Sequence, residues 1–417
     1  MAKEQKQDIV VGLDLGTTKV CTIIGERDEE GQVHIIGVGT TPSTGLRKGS
    51  VVNIEQTINS IKKSIQDAER MAGVEVSAAY AGVAGGHIKG LNSRGVIAVS
   101  RKDKEITEQD RERVIEAAQA IAIPLDREII HVIPQEYIVD DQDGIKNPVG
   151  MSGVRLESEV HVVTGAVTSV QNIVRSVERA GIQVADIILQ PLASAEAILS
   201  PDEKELGVVL IDIGGGTTDI AVFINGSLWH TGIITLGGQL VTSDVAVGLR
   251  TPNTEAEAIK IQFGCAYTAM VKEEEEITVP GVGGRPDRRM PRRVLSEIIE
   301  ARMEEIFELV GAELKKHGFE DRIPAGAVIT GGAALMEGTA ELAEKILQLP
   351  VRIGSPKRVG GLTDVVSNPC YSTAVGLVLM GMQSMGPQGG KRPSIFSGDD
   401  AFKNILGRMK KWFGDSI

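Results

Sequence analysis

Apolar positions along the chain fall into two rhythms. Continuous apolar runs at residues 208–211 and 220–224 read as buried strands joined by a glycine turn. A second pair, at residues 9–13 and from Val20 onward, repeats that arrangement near the amino terminus. Further strands are expected at 34–40, 77–82, 95–99, 128–137, 154–164, 184–190 and 328–330. Helical spacing places Ile54, Ile58, Ile61 and Ile65 on one face of a helix at 54–71, and predicts further helices at 107–121, 169–180, 294–316 and 336–349. A last periodic stretch sets Phe402, Ile405, Leu406, Met409, Trp412 and Phe413 on one helical face.

The turns carry the chemistry. Asp212 stands at the end of one strand, followed by Gly214, Gly215, Gly216, Thr217, Thr218 and Asp219. Three consecutive glycines let backbone N–H groups converge on an anion that a Cβ would hold off, which suits a polyphosphate. Hydrated Mg²⁺ needs only one or two carboxylates, and Asp212 and Asp219 are placed to supply them. The amino-terminal copy offers Asp14, Gly16, Thr17, Thr18 and an added Lys19. Gly-rich turns join strands in many proteins that bind nothing, but two acidic hairpins from two halves of one chain can clamp a single phosphate tail. Gly331 and Gly332 follow a third short strand, where flat backbone admits a planar base and ribose. No Gly-x-x-x-x-Gly-Lys-Ser/Thr occurs, which excludes a P-loop.

Bulk numbers narrow the class. With 417 residues the chain suits two lobes, each with its own interior. A net charge of −12 argues against a nucleic-acid partner. Cys21, Cys265 and Cys370 are scattered and odd in number, which fits a reducing compartment. The first eight residues lack a signal-peptide pattern, and no apolar stretch reaches the ~20 residues of a membrane span. A cytoplasmic location is therefore expected.

The ordered set of motifs, with the two connecting segments at 189–197 and 368–376, resembles the actin-like ATPase superfamily. The resemblance implies an α/β fold of two lobes with duplicated cores, binding ATP and Mg²⁺. It places Asp14, Asp212 and Asp219 at the metal through water, and Gln190 where relatives position an attacking water. Glu257, Lys260 and Gly264 match a chaperone-like adenosine pattern, although an i,i+3 Glu/Lys pair is usually just a solvated helix face.

An α+β block at 85–165, inserted in the first lobe, resembles the one in the FtsA family of bacterial cell-division proteins and their pilus-assembly cousins. The implied organisation is a first-lobe core at 1–84 and 166–200, and a second lobe at 201–349 with a small subdomain at about 237–300. A return helix at 350–383, a linker at 384–398 and a terminal helix at 399–417 complete it. In that family the second lobe receives the carboxy-terminal peptide of FtsZ, the tubulin-like ring protein. Arg293, Ser296 and Arg302 occupy the matching context. Nearby, Arg285, Arg288, Arg289, Arg292 and Arg293 crowd a Gly/Pro-rich loop that reads either as a patch for an acidic peptide or as a solubilising loop.

The carboxy-terminal stretch separates the functional readings. Lys403, Arg408, Lys410 and Lys411 flank its apolar face, beyond a Gly/Pro/Ser-rich leash, as in an interfacial membrane anchor. Each basic residue near an anionic surface contributes about 1 kcal/mol, so one anchor binds reversibly and a polymer of anchors binds firmly. The expected protein is an ATP-binding, slowly hydrolysing adaptor that polymerises head to tail on the inner membrane face, tethers the FtsZ ring and contacts other division proteins through its inserted subdomain. A pilus-assembly protein and a small-molecule kinase on the same fold are the alternatives.

Overall fold

The computed structural model describes residues 8–101 and 103–385. Of the linker expected at 384–398, Ser384 instead ends the helix Ser372–Ser384, and residues 386–398 lie outside the described residues, as does the stretch holding Phe402 to Phe413 with Lys403, Arg408, Lys410 and Lys411.

Two mixed sheets share one topology. In the first, Asp8–Leu15 pairs antiparallel with Lys19–Arg27, which pairs antiparallel with Val33–Pro42; on the other side Ala78–Val83 and then Gln183–Leu189 add in parallel. In the second, Val208–Ile213, Thr218–Ile224 and Ser227–Ile234 form the antiparallel meander, and Ala327–Thr330 and Val351–Ile353 add in parallel. The duplicated cores are thus a repeated five-strand pattern, with Val359–Gly361 added to the outer edge of the first sheet.

Both faces of the second sheet are buried, which is why its strands read as continuous apolar runs. Val209, Ile211, Ile213, Ile220 and Val222 point into the second lobe's own core with Leu295, Ile306 and Phe307. Val208, Leu210, Ala221 and Phe223 point the other way and join the first lobe's core. Helices Gln190–Ile198 and Ser372–Ser384 lie between the lobes and complete that continuous interior.

The inserted block folds as a four-stranded antiparallel sheet in the order Ile88–Ala98, Arg155–Ala166, Arg127–Val139, Gln142–Ile145. Helix Glu108–Gln119 covers one face, burying Val114 and Ala118 against Leu156, Val160 and Val162. Its start is fixed by a capping box between Thr107 and Asp110. The opposite face meets the edge strand Ser227–Ile234: Gln135 Nε2 donates to the carbonyls of Leu228 (3.1 Å) and Trp229 (3.0 Å), and His161 Nε2 lies 2.9 Å from Thr231 Oγ1.

Two local expectations change. Residues 285–293 are not all loop, because Arg288–Pro291 pairs antiparallel with Glu276–Val279, whose Ile277 and Val279 alternate into the core. The arginines hid this strand by making its exposed face look like a charge run. The helix expected at 336–349 is shorter, Thr339–Leu347, and follows a 3₁₀ turn at Gly332–Leu335. No described helix is long and apolar enough to cross a membrane.

Candidate functional site

The two glycine hairpins meet tip to tip. A Cβ on Gly215 would stand 2.3 Å from Thr18 Cγ2, and one on Gly216 would stand 2.6 Å from Thr17 Oγ1. Glycine at both positions is therefore a requirement of close approach between the lobes. Behind the tips, Asp14, Asp212 and Asp219 are each buried, with Asp212 close enough to raise the pKa of the other two and Asp14 close enough to raise that of Asp219.

The surroundings of the three carboxylates differ. Burial pushes Asp14 up to about 7, with Lys19 opposing and Asp212 adding to the shift. Burial, reinforced by Asp212, pushes Asp219 up to about 8 against the Thr217 hydroxyl, which donates to Asp219 Oδ2 at 3.1 Å. Asp219 Oδ1 is buried with no hydrogen-bond partner. Burial also raises Asp212, opposed by hydrogen bonds from Ser194 Oγ (2.7 Å) and Thr373 Oγ1 (3.4 Å) to its Oδ2. Three buried carboxylates with one nearby lysine leave acceptor capacity and negative charge uncompensated, the condition a hydrated divalent cation relieves. Lys19 itself donates to the Cys370 carbonyl and lies 4.3 Å from the centre of the Tyr371 ring.

Gln190 is the first residue of its helix, directly after strand Gln183–Leu189, and its Nε2 donates to Asp14 Oδ1 at 3.1 Å. That contact puts its amide inside the carboxylate chamber. Gly331, at φ +88°, would bring a Cβ to 2.5 Å from Asp212 Oδ1, whereas Gly332 faces open space.

Lys260 is no mere solvated partner of Glu257. Its ammonium reaches Glu257 Oε2 at 2.7 Å, the Gly238 carbonyl at 3.1 Å and Thr242 Oγ1 at 2.9 Å. Gly238 in turn donates its N–H to the Gly214 carbonyl at 2.9 Å, so this pair is joined to the second hairpin. Gly264 has a packing reason of its own: a Cβ there would meet the Lys260 carbonyl at 2.3 Å and Ile299 at 3.2 Å.

The expected peptide contacts divide. Arg293 is exposed and pairs with Glu297 at 3.2 Å. Arg302 forks onto Asp244 at 2.6 and 3.2 Å, also pairs with Glu305, and with them, Ile298 and Ala301 lines a recess of about 290 Å³. Ser296 corrects the expectation of a surface contact, because it is buried, donating to the Cys265 carbonyl at 2.9 Å and lying 3.2 Å from Thr268 Oγ1. Of the arginine cluster, Arg292 is committed to Glu275 and Glu337.

Ser194, Thr373 and Thr242 are site residues that motif reading missed. The first two lie within the connecting segments at 189–197 and 368–376, where a hydroxyl among small residues is the available signal.

Repeated sheets enclosing paired acidic hairpins between two lobes define the actin-like ATPase fold. Solved structures agree on the fold. A chain of a PilM–PilN type IV pilus biogenesis complex matches with TM-score 0.65 at 15% identity, covering 89% of this chain and 98% of that one. MreB5 of Spiroplasma citri bound to ADP matches with TM-score 0.53 at 16% identity, covering 89% and 95%.

Sequence relatives are more specific. The family model for cell division protein FtsA matches residues 209–376, and that for the SHS2 domain inserted in FtsA matches residues 85–164. Cell division protein FtsA of Pseudomonas aeruginosa is 51% identical over 414 residues, 99% of each chain, and that of Escherichia coli is 44% identical over 391 residues, 92% of this chain and 93% of its own. The chain belongs to the FtsA family of cell-division proteins.

Proposed function

We propose that the chain is a nucleotide-switched division adaptor: it binds Mg·ATP between its lobes, polymerises head to tail, and links the FtsZ ring to the cytoplasmic face of the membrane at the division site. The observation that carries the nucleotide reading is the convergence of Asp14, Asp212 and Asp219 behind two touching hairpins, with Asp219 Oδ1 buried and unpartnered. These residues fit a magnesium ion held largely through water, which would supply positive charge against the carboxylates and the phosphates. The hairpin N–H groups hold the phosphates, Lys260 and Glu257 face the ribose or base, and Gly332 leaves room for it, with Gly331 closing the turn against Asp212. Gln190, anchored through Nε2, has its Oε1 left to orient a water, a slow-turnover arrangement in which the nucleotide serves as a switch.

Residues around Arg293 and Arg302 form the surface offered to the acidic FtsZ tail. The inserted subdomain presents its remaining surface to other division proteins, and the basic, apolar pattern at 399–417 supplies membrane attachment. The nucleotide reading is tested by thermal shift. Mg·ATP raises the unfolding midpoint of the wild type, and Asp212→Ala abolishes that rise while unfolding as one cooperative transition. Equal protection of both proteins would refute the clamp.

A further inference from the structure

Away from the hairpins, the edge strand Ser227–Ile234 and the carboxy-terminal end of helix Arg292–Lys316 bring together His230, Glu313 and His317. They are the one such group of three or more metal-competent side chains among the described residues, with ligand atoms all within 4.8 Å of one another. His230 Nε2 lies 3.1 Å and His317 Nε2 3.2 Å from the same oxygen, Glu313 Oε1. Zinc bonds of ~2.0–2.2 Å at tetrahedral angles separate neighbouring ligand atoms by roughly 3.3 Å, so both His–Glu separations are compatible with a shared ion.

The surroundings favour such an occupant. Phe319, itself buried, packs against both imidazoles, with ring centres 5.6 Å from His230 and 6.2 Å from His317. A side chain at Gly232 would begin 3.4 Å from His230 Nε2 and 3.6 Å from Glu313 Oε1, so glycine keeps the space beside the ligand atoms clear. Among the described residues, Glu313 Oε2 reaches the exposed Lys316 Nζ, at 3.5 Å.

We propose that His230, Glu313 and His317 form a site for a divalent transition metal of the zinc class, with water completing the coordination on the His317 side. Two imidazoles and one carboxylate select zinc, cobalt or nickel over magnesium or calcium, so this site does not compete for the ion of the nucleotide cleft. The ion would fasten the sheet edge to the helix end. Thr231, the residue after His230, bonds His161 of the inserted subdomain, so loading would also stiffen the seam between that subdomain and the second lobe.

The test uses the full chain with excess Mg·ATP, titrated with cobalt(II) by visible absorption and with zinc by calorimetry. One equivalent of metal binds to wild type, without the near-ultraviolet band of a cobalt–thiolate bond, and zinc raises the unfolding midpoint. Affinity falls more than about tenfold in His317→Ala and in Glu313→Gln, since even partners that merely orient ligands cost 10–100-fold. Midpoints measured without metal establish that both variants fold; should His317→Ala fail to fold, Glu313→Gln decides. Absence of stoichiometric binding, equal affinity in the folded variants, or a thiolate band in wild type overturns the proposal.

Discussion

Gly376 crosses Ala193 with no room for a side chain: a Cβ at Gly376 would lie 1.8 Å from the Ala193 carbonyl oxygen. The two helices that link the lobes therefore pack backbone to backbone. On the same two helices Ser194 and Thr373 share Asp212, with their hydroxyls 3.0 Å apart. Gly376→Ala must push the helices apart and disturb that grip, with an overpacking cost of about 1–3 kcal/mol. Chemical denaturation will show the loss, and nucleotide protection will weaken with it. Gly311→Ala is the contrast, since its added Cβ meets Leu347 at an ordinary 3.6 Å, and a helix interior gains about 0.5–1 kcal/mol from the exchange.

The carboxylate chamber makes both stability and ligand affinity depend on pH, in opposite senses. Burial raises Asp14 from 3.8 to about 7 and Asp219 from 3.8 to about 8, so the folded protein holds protons that the unfolded chain releases. Their contribution to stability is complete below 3.8 and is lost as pH rises through the folded values. Without nucleotide, unfolding free energy will fall from about pH 4 to about pH 8 and level off above it, and Asp219→Asn will flatten part of that slope. Magnesium competes with the same protons, so Mg·ATP affinity will climb over the same interval. An affinity that declines with pH would place the cation elsewhere.

How much of this could be read beforehand follows from the range of each contact. The hairpins were legible because Asp14 to Lys19 and Asp212 to Asp219 are local patterns in which glycine, acid and flanking apolar runs carry the information. The arrangement around Asp212 was not, because Ser194 and Thr373 reach it from 18 and 161 residues away in sequence. Lys260 looked like half of a helix-surface pair until folding set the Gly238 carbonyl beside it. The strand at Arg288–Pro291 was masked because its outward residues are arginines, and the edge partner that buries Ile277 and Val279 lies across a turn. Ser296 shows the converse limit, since a motif aligned it correctly on the helix but gave no sign of which side faces in.

Arg302 and Ser296 separate direct from indirect effects on peptide capture. Arg302→Ala removes a partly exposed fork onto Asp244, and partly exposed pairs contribute about 1 kcal/mol or less, so folding stability will change little. Binding of a synthetic FtsZ tail peptide, followed by fluorescence anisotropy, will fall at least about tenfold, as for an arginine at the centre of an interface. Ser296→Ala leaves the Cys265 carbonyl without its donor and will cost stability of about 1–3 kcal/mol. Wild-type peptide affinity in Arg302→Ala would move the docking surface off this helix.

Membrane attachment can be separated from the body by truncation at a point the structure recommends. Ser384 still belongs to the body, since its hydroxyl lies 2.6 Å from Tyr80 OH and donates to the Gly381 carbonyl at 2.7 Å. A chain ending at Met385 keeps these bonds and the interlobe helix, so it should unfold at the wild-type midpoint and retain Mg·ATP protection. It lacks the apolar positions Phe402, Ile405, Leu406, Met409, Trp412 and Phe413 and the basic flank of Lys403, Arg408, Lys410 and Lys411. The full chain will sediment with anionic vesicles and the shortened chain will stay in the supernatant. Salt will release the full chain only in part, because the basic residues are screened whereas burial of the aromatic and aliphatic face is not. Restoring the segment with Trp412→Gln and Phe413→Gln will leave its charge unchanged and still abolish sedimentation, and undiminished binding of that variant would mean that charge alone holds the protein to lipid.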